Sequence, residues 1–324
     1  MTVPTATFQA FQKIGNREDL ENFIYMISPI ETPFMSNCAK TTANAVLHEW
    51  QTESLAAAVA TNAAIEGDDA TNTSVVPTVR IGNYCEISQY AFGVSGTQQA
   101  ITAAGIKDEM AHQLIVFGKR MKRDMESQLT QNKASNAGGA GSARISGSLE
   151  SWITSNWTTQ GSGGSPSSSG FQSGIVQAPV DNSAQGTVSE ANAKAIIRAA
   201  WTAGGSPDTI MVGPFNKTKA SGFAGVNSAQ AQTQTKGEAL TIVGAADAYV
   251  SDFGKFMIVP NRFQRDRTLF ILDFDYWAIA YLRKFTQTNL AKTGDSDRKQ
   301  ILAEYTLISR NEAASGKVAD LTTS

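Results

Sequence analysis

Cysteine is nearly absent from this chain: Cys38 and Cys85 are all there is in 324 residues. Two thiols cannot form the disulfide framework of a secreted scaffold, so a reducing cytoplasm is the natural expectation. Histidine is equally scarce, with only His48 and His112. Neither stands at metal-ligand spacing from a Cys, Asp or Glu, and no HExxH or CxxC occurs, so no metal site is expected. Charge is also short. Asp, Glu, Lys and Arg supply 17% of residues, where roughly 25% is usual. Lys+Arg 27 and Asp+Glu 29 nearly cancel to a net of −2, which argues against a nucleic-acid binder working through bulk positive charge. No apolar run approaches the ~20 residues of a membrane span. The opening MTVPTATFQAF has neither the basic nor the apolar part of a secretory signal. The composition is made up instead by Gly (27) with Ala, Ser, Thr, Asn and Gln. Length fits about two domains, and a weakly charged, near-neutral surface favours association.

Periodicity organises the chain. Asn16 can cap a short helix to Ile27, in which Leu20, Phe23, Ile24 and Ile27 share one apolar face. Pro29 and Pro33 should stop it and hold Ile30, Glu31 and Phe34 extended. Three helical turns on an extended leader are marginal alone, so the segment must dock on something. From 44 to 95 the text is strand-like. Val46, His48 and Trp50 alternate with Leu47 and Glu49, a soft Ala/Thr/Asn stretch follows, Glu66–Asp69 marks a turn, and a second strand reads from Val75 to Ser95. The pair predicts a long hairpin that cannot stand by itself.

Ile106, Met110, Leu114, Phe117, Met121, Met125 and Leu129 form one helical stripe and predict a helix over 105–133, about 40 Å long and without a capping Pro or Gly before Gly138. Residues 134–187 are Gly/Ser-rich loop with a short helix expected at 148–155. Ser189 opens a helix over 190–203, with Ile196, Ile197, Ala200 and Trp201 on one face and Gly204-Gly205 closing it. Strands are expected at 209–213, 240–243, 248–250, 255–259, 269–272, 278–285 and 302–309, with a polar turn at 292–297. The fold class is α+β.

Catalytic patterns are missing. There is no GxSxG elbow and no phosphate-binding glycine loop; Gly138–Gly141 follows a helix and reads as loop. Asp273 and Asp275 could pair as acid and base on a strand, but nothing catalytic converges there and a turn is the plainer reading. Cys38 and Cys85 lack a basic neighbour and read as small buried residues. Lys119–Arg123 is a basic run on the long helix, facing solvent or phosphate. Asn261–Arg267 is a second, whose guanidinium groups Arg262, Arg265 and Arg267 suit carboxylates of a neighbouring subunit, or else solvent. No catalytic, cofactor-binding or metal residue is assigned, no cofactor is expected, and an enzyme is disfavoured.

The order of parts resembles the Hong Kong 97-type capsid fold, and the wording resembles major capsid proteins of tailed bacteriophages. The matching strings are Gly15–Leu20, Ser28–Phe34, Val94–Thr97, Lys107–Met110 with Lys122–Asp124, Met211–Phe215, Asp252–Gly254, Pro260–Phe263, Leu290–Ser296, Gln300–Asn311 and Lys317–Thr323. The resemblance implies an N-terminal arm over 1–46 and an extended loop over 47–96. It implies a peripheral domain over 97–188 with its spine helix at 105–133, an axial domain over 189–283, and a return and tail over 284–324. It implies an icosahedral shell of pentamers and hexamers around packaged double-stranded DNA. Scaffolding and portal proteins would be partners, with no membrane, and assembly would take place in the bacterial cytoplasm to give a virion capsid. The alternative is an encapsulin-like compartment shell. Because matching text begins by residue 15, no long cleavable N-terminal scaffold is expected. Candidate inter-subunit contacts are Phe23, Ile24, Ile27, Phe34, Trp50, Arg262, Arg265 and Arg267.

Overall fold

A computed structural model describes residues 31–53, 55–67, 69, 72–101, 106, 108–160, 171–223 and 248–323. The helix read at 16–27, with Phe23, Ile24 and Ile27, and the strand read at 240–243 lie outside the described residues. Pro33 begins a helix instead of ending one. Helix α1 spans Pro33–Asn37 with the proline in its first turn, where its missing N–H would have had no helical partner anyway. The backbone expected to be extended at Phe34 is therefore helical.

In chain order there follow β1 (Ala39–Thr42), β2 (Leu47–Thr52), β3 (Val79–Tyr84), β4 (Glu86–Ser95), α2 (Gly96–Ala100), α3 (Glu109–Leu129), α4 (Leu149–Trp152), β5 (Trp157–Thr159), β6 (Phe171–Gln172), β7 (Ile175–Val176), α5 (Glu190–Thr202), β8 (Thr209–Val212), α6 (Pro214–Ala220), β9 (Ala248–Ser251), β10 (Gly254–Pro260), β11 (Leu269–Leu272), β12 (Trp277–Leu290), β13 (Ser296–Ser309) and β14 (Gly316–Ala319). Three sheets result among the described residues. One has the order β1-β12-β13-β4, one β5-β14-β11-β8-β10-β9, and a small one β2-β3-β7-β6.

The single strand expected over 75–95 is two. Val79–Tyr84 pairs with β2 and Glu86–Ser95 pairs with β13, so the break at buried Cys85 sends one run of sequence into two sheets. The hairpin is thus only six residues deep on each side, from Leu47↔Tyr84 to Thr52↔Val79. The alternation within 86–95 reflects one face against the long helix and one in solvent.

Helix α3 runs from Glu109 to Leu129, shorter than the 105–133 expected, or about 32 Å at 1.5 Å per residue. It is capped after all. Asp108 accepts from the backbone N–H of Met110 (2.9 Å) and Ala111 (3.2 Å), and the Thr130 hydroxyl donates to the Glu126 carbonyl at 2.8 Å. Met110, Met121, Met125 and Leu129 of the stripe are buried. Phe117 stacks flat on Phe92 of β4, with centroids 4.8 Å apart, which seats the helix on the β4–β13 side of its sheet.

The six-stranded sheet is packed on both sides. β8 (TIMV) and β11 (LFIL) are buried along their whole length, as continuous apolar runs at a sheet centre should be. Successive side chains serve different cores. Met211, Phe270 and Leu272 join Met121, Met125, Trp152 and Trp277 beside α3. Ile210, Val212, Leu269 and Ile271 join Ile196, Ile197 and Phe256 beneath α5. Helix α5 ends as expected at Gly204, whose φ of +92° suits a residue without Cβ. Trp201 does not share its buried face: it is 57% exposed and lies against the equally outlying Phe253, 5.5 Å between centroids.

Candidate functional site

Four features outside the cores bear on function. The first holds the N-terminal segment in place. Glu126 projects from α3 into the interior, where its carboxylate accepts from Phe34 N (2.8 Å), Met35 N (2.9 Å) and Asn261 Nδ2 (2.7 Å). Two of these donors are first-turn N–H groups of α1, which have no helical partner of their own. Burial pushes the Glu126 carboxyl up, and the three donors push against that shift. Phe34 is fully buried, with its ring 6.0 Å from that of Phe274. It is therefore a core residue of its own chain and not the surface contact the sequence suggested. Nothing in the sequence pattern pointed to Glu126, because a glutamate beside an apolar stripe reads as the edge of a solvated face.

The second feature is the 261–267 turn. Arg265 meets Glu150 (3.3 Å) and Asp181 (2.7 Å), and Arg267 meets Asp320 (2.9 Å). The carboxylates expected on a neighbouring subunit are thus found within the chain for these two arginines; Arg262 alone of the three is exposed. The reason is local. Glu150 is buried in α4 with the side chain of Lys317 close by, and Lys317 Nζ donates to the Glu150 carbonyl at 2.6 Å. Desolvation raises the Glu150 carboxyl and lowers Lys317 to about 8. A buried carboxylate and ammonium need every opposite charge within reach. Asn261 therefore ties the 261–267 turn to α3, Arg265 ties it to α4 and Asp181, and Arg267 ties it to Asp320 just beyond β14.

The third is the base of the extended loop. Trp50 Nε1 donates to the Ser309 carbonyl at 2.9 Å, and its ring lies 5.3 Å from that of Trp152, so Trp50 also packs within its own chain. Asn83, fully buried on β3, donates to Ser146 Oγ, Gly147 O and Leu307 O and accepts from Ser135 Oγ and Gly147 N. One side chain thus uses all its hydrogen-bonding capacity to pin the hairpin.

The fourth is the loop beyond that base. Leu55, Val59, Ile65, Val75 and Val76 are exposed, Leu55 by 97% and Val75 by 89%. Gly67 turns the chain at φ +83° within the Glu66–Asp69 turn the sequence predicts. These apolar side chains lie on a segment with no strand among its described residues.

The residues that might have carried chemistry are placed otherwise. Asp273 caps a 3-10 turn, accepting from Asp275 N and Ser206 N, while Asp275 is exposed. The two carboxylates therefore sit in a turn and do not share a strand face. His48 lies 5.8 Å from the Trp50 ring, and burial lowers its pKa. Burial and the nearby Glu126 carboxylate push the Cys38 thiol well up, and burial pushes Cys85 to about 11, so both stay protonated and unreactive at neutral pH. Of the basic run on α3, Arg120 lies over the Tyr90 ring (4.7 Å) and Arg123 over Phe263 (5.4 Å), while Lys119 and Lys122 face solvent.

Comparison with known proteins accounts for this combination of a filled interior and a bare loop. A family described as SU10 major capsid protein matches residues 3–322. The major capsid protein of Escherichia phage Phieco32 is 25% identical over 359 aligned positions, covering 98% of this chain and 97% of that one. Among solved structures, the capsid asymmetric unit of cyanophage A-1(L) superposes with a TM-score of 0.63 at 13% identity, covering 95% and 98% of the two chains. The holo-SrpI encapsulin complex from Synechococcus elongatus gives 0.53 at 9% identity, covering 94% and 92%. The fold is the Hong Kong 97-type capsid fold, and the chain belongs to the SU10 major capsid protein family, a structural shell protein of a bacteriophage that associates with copies of itself.

Proposed function

We propose that copies of this chain assemble as pentamers and hexamers into a closed icosahedral shell around packaged double-stranded DNA, with scaffolding and portal proteins as partners and the host cytoplasm as the place of assembly. On this reading residues 1–46 reach to adjacent subunits, 47–96 lie across a neighbour, 97–188 with 284–324 form the peripheral domain, and 189–283 surround the capsomer axis. The protein works as a wall and not as an enzyme. The observation that carries the reading is the extended loop. It is pinned at its base by Asn83 and Trp50 and leaves Leu55, Ile65 and Val75 exposed. A lone subunit gains nothing from that arrangement, whereas a neighbour's surface would bury it at about 25 cal/mol per Å² of apolar area.

Near-neutral charge suits the role, since subunits of large like charge would repel across every contact. It also favours a container for DNA over a protein that grips it. The encapsulin-like shell is the second reading, supported by the shared fold of the SrpI complex; a cargo-peptide groove on the inner surface would favour it. Expression of the chain alone, with electron microscopy of the product, tests the proposal. Closed particles built of five- and six-fold capsomers are expected, at least when a scaffold is supplied. A chain that stays monomeric at every concentration, with or without scaffold, would overturn it.

A further inference from the structure

One strand inside the six-stranded sheet comes from a part of the chain local to neither of its neighbours. β14 lies between β5 and β11, pairing Lys317 with Trp157 on one side and Val318 with Leu269 on the other. It has no hairpin partner to guide it and must close long loops to pair at all. The segment around it is bonded on every side. Glu312 accepts from Thr154 N (2.9 Å) and Ser155 N (3.1 Å), Ser315 Oγ accepts from Trp277 Nε1 (2.9 Å), and Lys317 Nζ donates to the Glu150 carbonyl (2.6 Å). Asp320 accepts from Thr159 Oγ1 (2.8 Å), Asn182 N (3.0 Å) and Arg267 Nη2 (2.9 Å). These donors hold it at a φ of +58°, which aspartate tolerates but does not favour. Gly316 runs so close to α5 that a Cβ there would lie 2.2 Å from Ile196 Cγ2.

Little of the interior depends on this segment. The core beside α3 takes no residue from 311–322 among those described, and the core beneath α5 takes only Val318 and Leu321. Without β14 the strands β11-β8-β10-β9 stay paired, and only β5 loses the strand it pairs with. A segment bonded so thoroughly, yet contributing so little to the cores, closes a body that is already formed. It also bridges two regions. Glu150, Thr154 and Thr159 come before residue 189, whereas Ile196, Arg267 and Leu269 come after it, and the segment holds both sets.

We infer that residues 311–322 are a strap that inserts into a preformed slot between β5 and β11, and that only a subunit closed by this strap assembles. The slot takes an extended segment with a glycine against α5, an amine at Glu150 and a carboxylate at Arg267. Closure fixes how the parts before and after residue 189 stand to each other. Copies that must meet their neighbours at defined angles cannot assemble while that arrangement is free to vary. The inference rests on the shell reading and adds a step before assembly.

A site for a specific protease, inserted between the exposed Arg310 and Asn311, lets the subunit fold whole and be cut afterwards. The cut subunit should keep its strap and form particles as the parent chain does. Stripped of the strap by gel filtration in mild denaturant and returned to buffer, the body should keep a cooperative unfolding transition but give no particles on electron micrographs. A synthetic peptide of residues 311–324 should restore particles at one equivalent per subunit, and the same peptide with Gly316→Val should not. Particles from the stripped body alone would overturn the inference. So would a body that unfolds when stripped, since β14 would then be part of the core and not a strap. A folded body that does not bind the peptide, or that binds it and still does not assemble, would overturn it too. The uncut parent chain separates these outcomes from the shell reading, which fails if that chain forms no particles.

Discussion

The 261–267 turn and the 53–78 loop treat their side chains in opposite ways. In the turn, charged and polar groups are brought inside and matched: Arg265 to Glu150 and Asp181, Arg267 to Asp320, Asn261 to Glu126. In the loop, aliphatic groups are left outside with nothing to match them. A monomeric enzyme would normally do the reverse, keeping valines in and arginines out. The difference separates two kinds of stability. The turn holds one subunit together, and on the proposed reading the loop acts only when a second subunit arrives, so folding and assembly should be open to separate disturbance.

The sharpest way to break the contrast is to remove one side of it. Replacing residues 53–78 by a two-residue Asn-Gly turn between Thr52 and Val79 should abolish shells completely on electron micrographs, yet leave the thermal midpoint of the isolated subunit within a few degrees. A large fall in that midpoint would show that the loop serves the subunit after all. Next in size is Arg265→Ala, which leaves Glu150 buried beside too little positive charge. Loss of about 3 kcal/mol in denaturant unfolding is expected, and Glu126→Ala should cost a similar amount by stranding three buried donors.

A milder change, Val75→Ser with Val76→Ser, should leave unfolding unchanged within about 0.5 kcal/mol. It should raise the protein concentration at which assembly begins at least about tenfold, as light scattering would record. The last effect is a pH dependence, spread over about 2.5 pH units. Lys317 is lowered to about 8 from 10.5, so between those values the unfolded chain holds a proton that the folded chain has lost. Stability from this group therefore rises with pH across that window, by on the order of 1.4 kcal/mol per unit of pKa difference at most. Lys317→Met should remove the rise, read as the difference between the two unfolding curves at pH 8 and pH 10. An unchanged difference would show that Lys317 is not desolvated.

Much of the fold was legible because it repeats with a period. The methionine stripe of α3 placed the spine helix, and TIMV and LFIL placed two central strands. Trp201 and Phe34 were misread for one reason: periodicity says which residues share a face but not which face has a neighbour. Trp201 lies in the last turn of α5 and stays exposed against Phe253. Phe34 follows a proline that ends helices in mid-sequence and begins them in a first turn, and only the position of Glu126 decides between the two. The sequence left the arginines of the 261–267 turn between carboxylates of a neighbouring subunit and solvent, and Arg265 and Arg267 instead meet carboxylates of their own chain. Their partners stand 115, 84 and 53 residues away in sequence, a distance no local pattern spans.

The sequence by itself determined the kind of protein this is: an α+β chain of low charge, with a long amphipathic helix, a soft Ala/Thr/Asn stretch between strand-like runs and the ordered wording of a phage shell subunit. Tertiary structure decided which groups remain available to other copies. Availability is a property of three-dimensional burial, so the same arginine or phenylalanine counts as a surface contact or an internal tie according to what long-range pairing brings beside it. That pairing drew Phe34, Trp50, Arg265 and Arg267 inward and left the valines of the loop and the β12 edge outside.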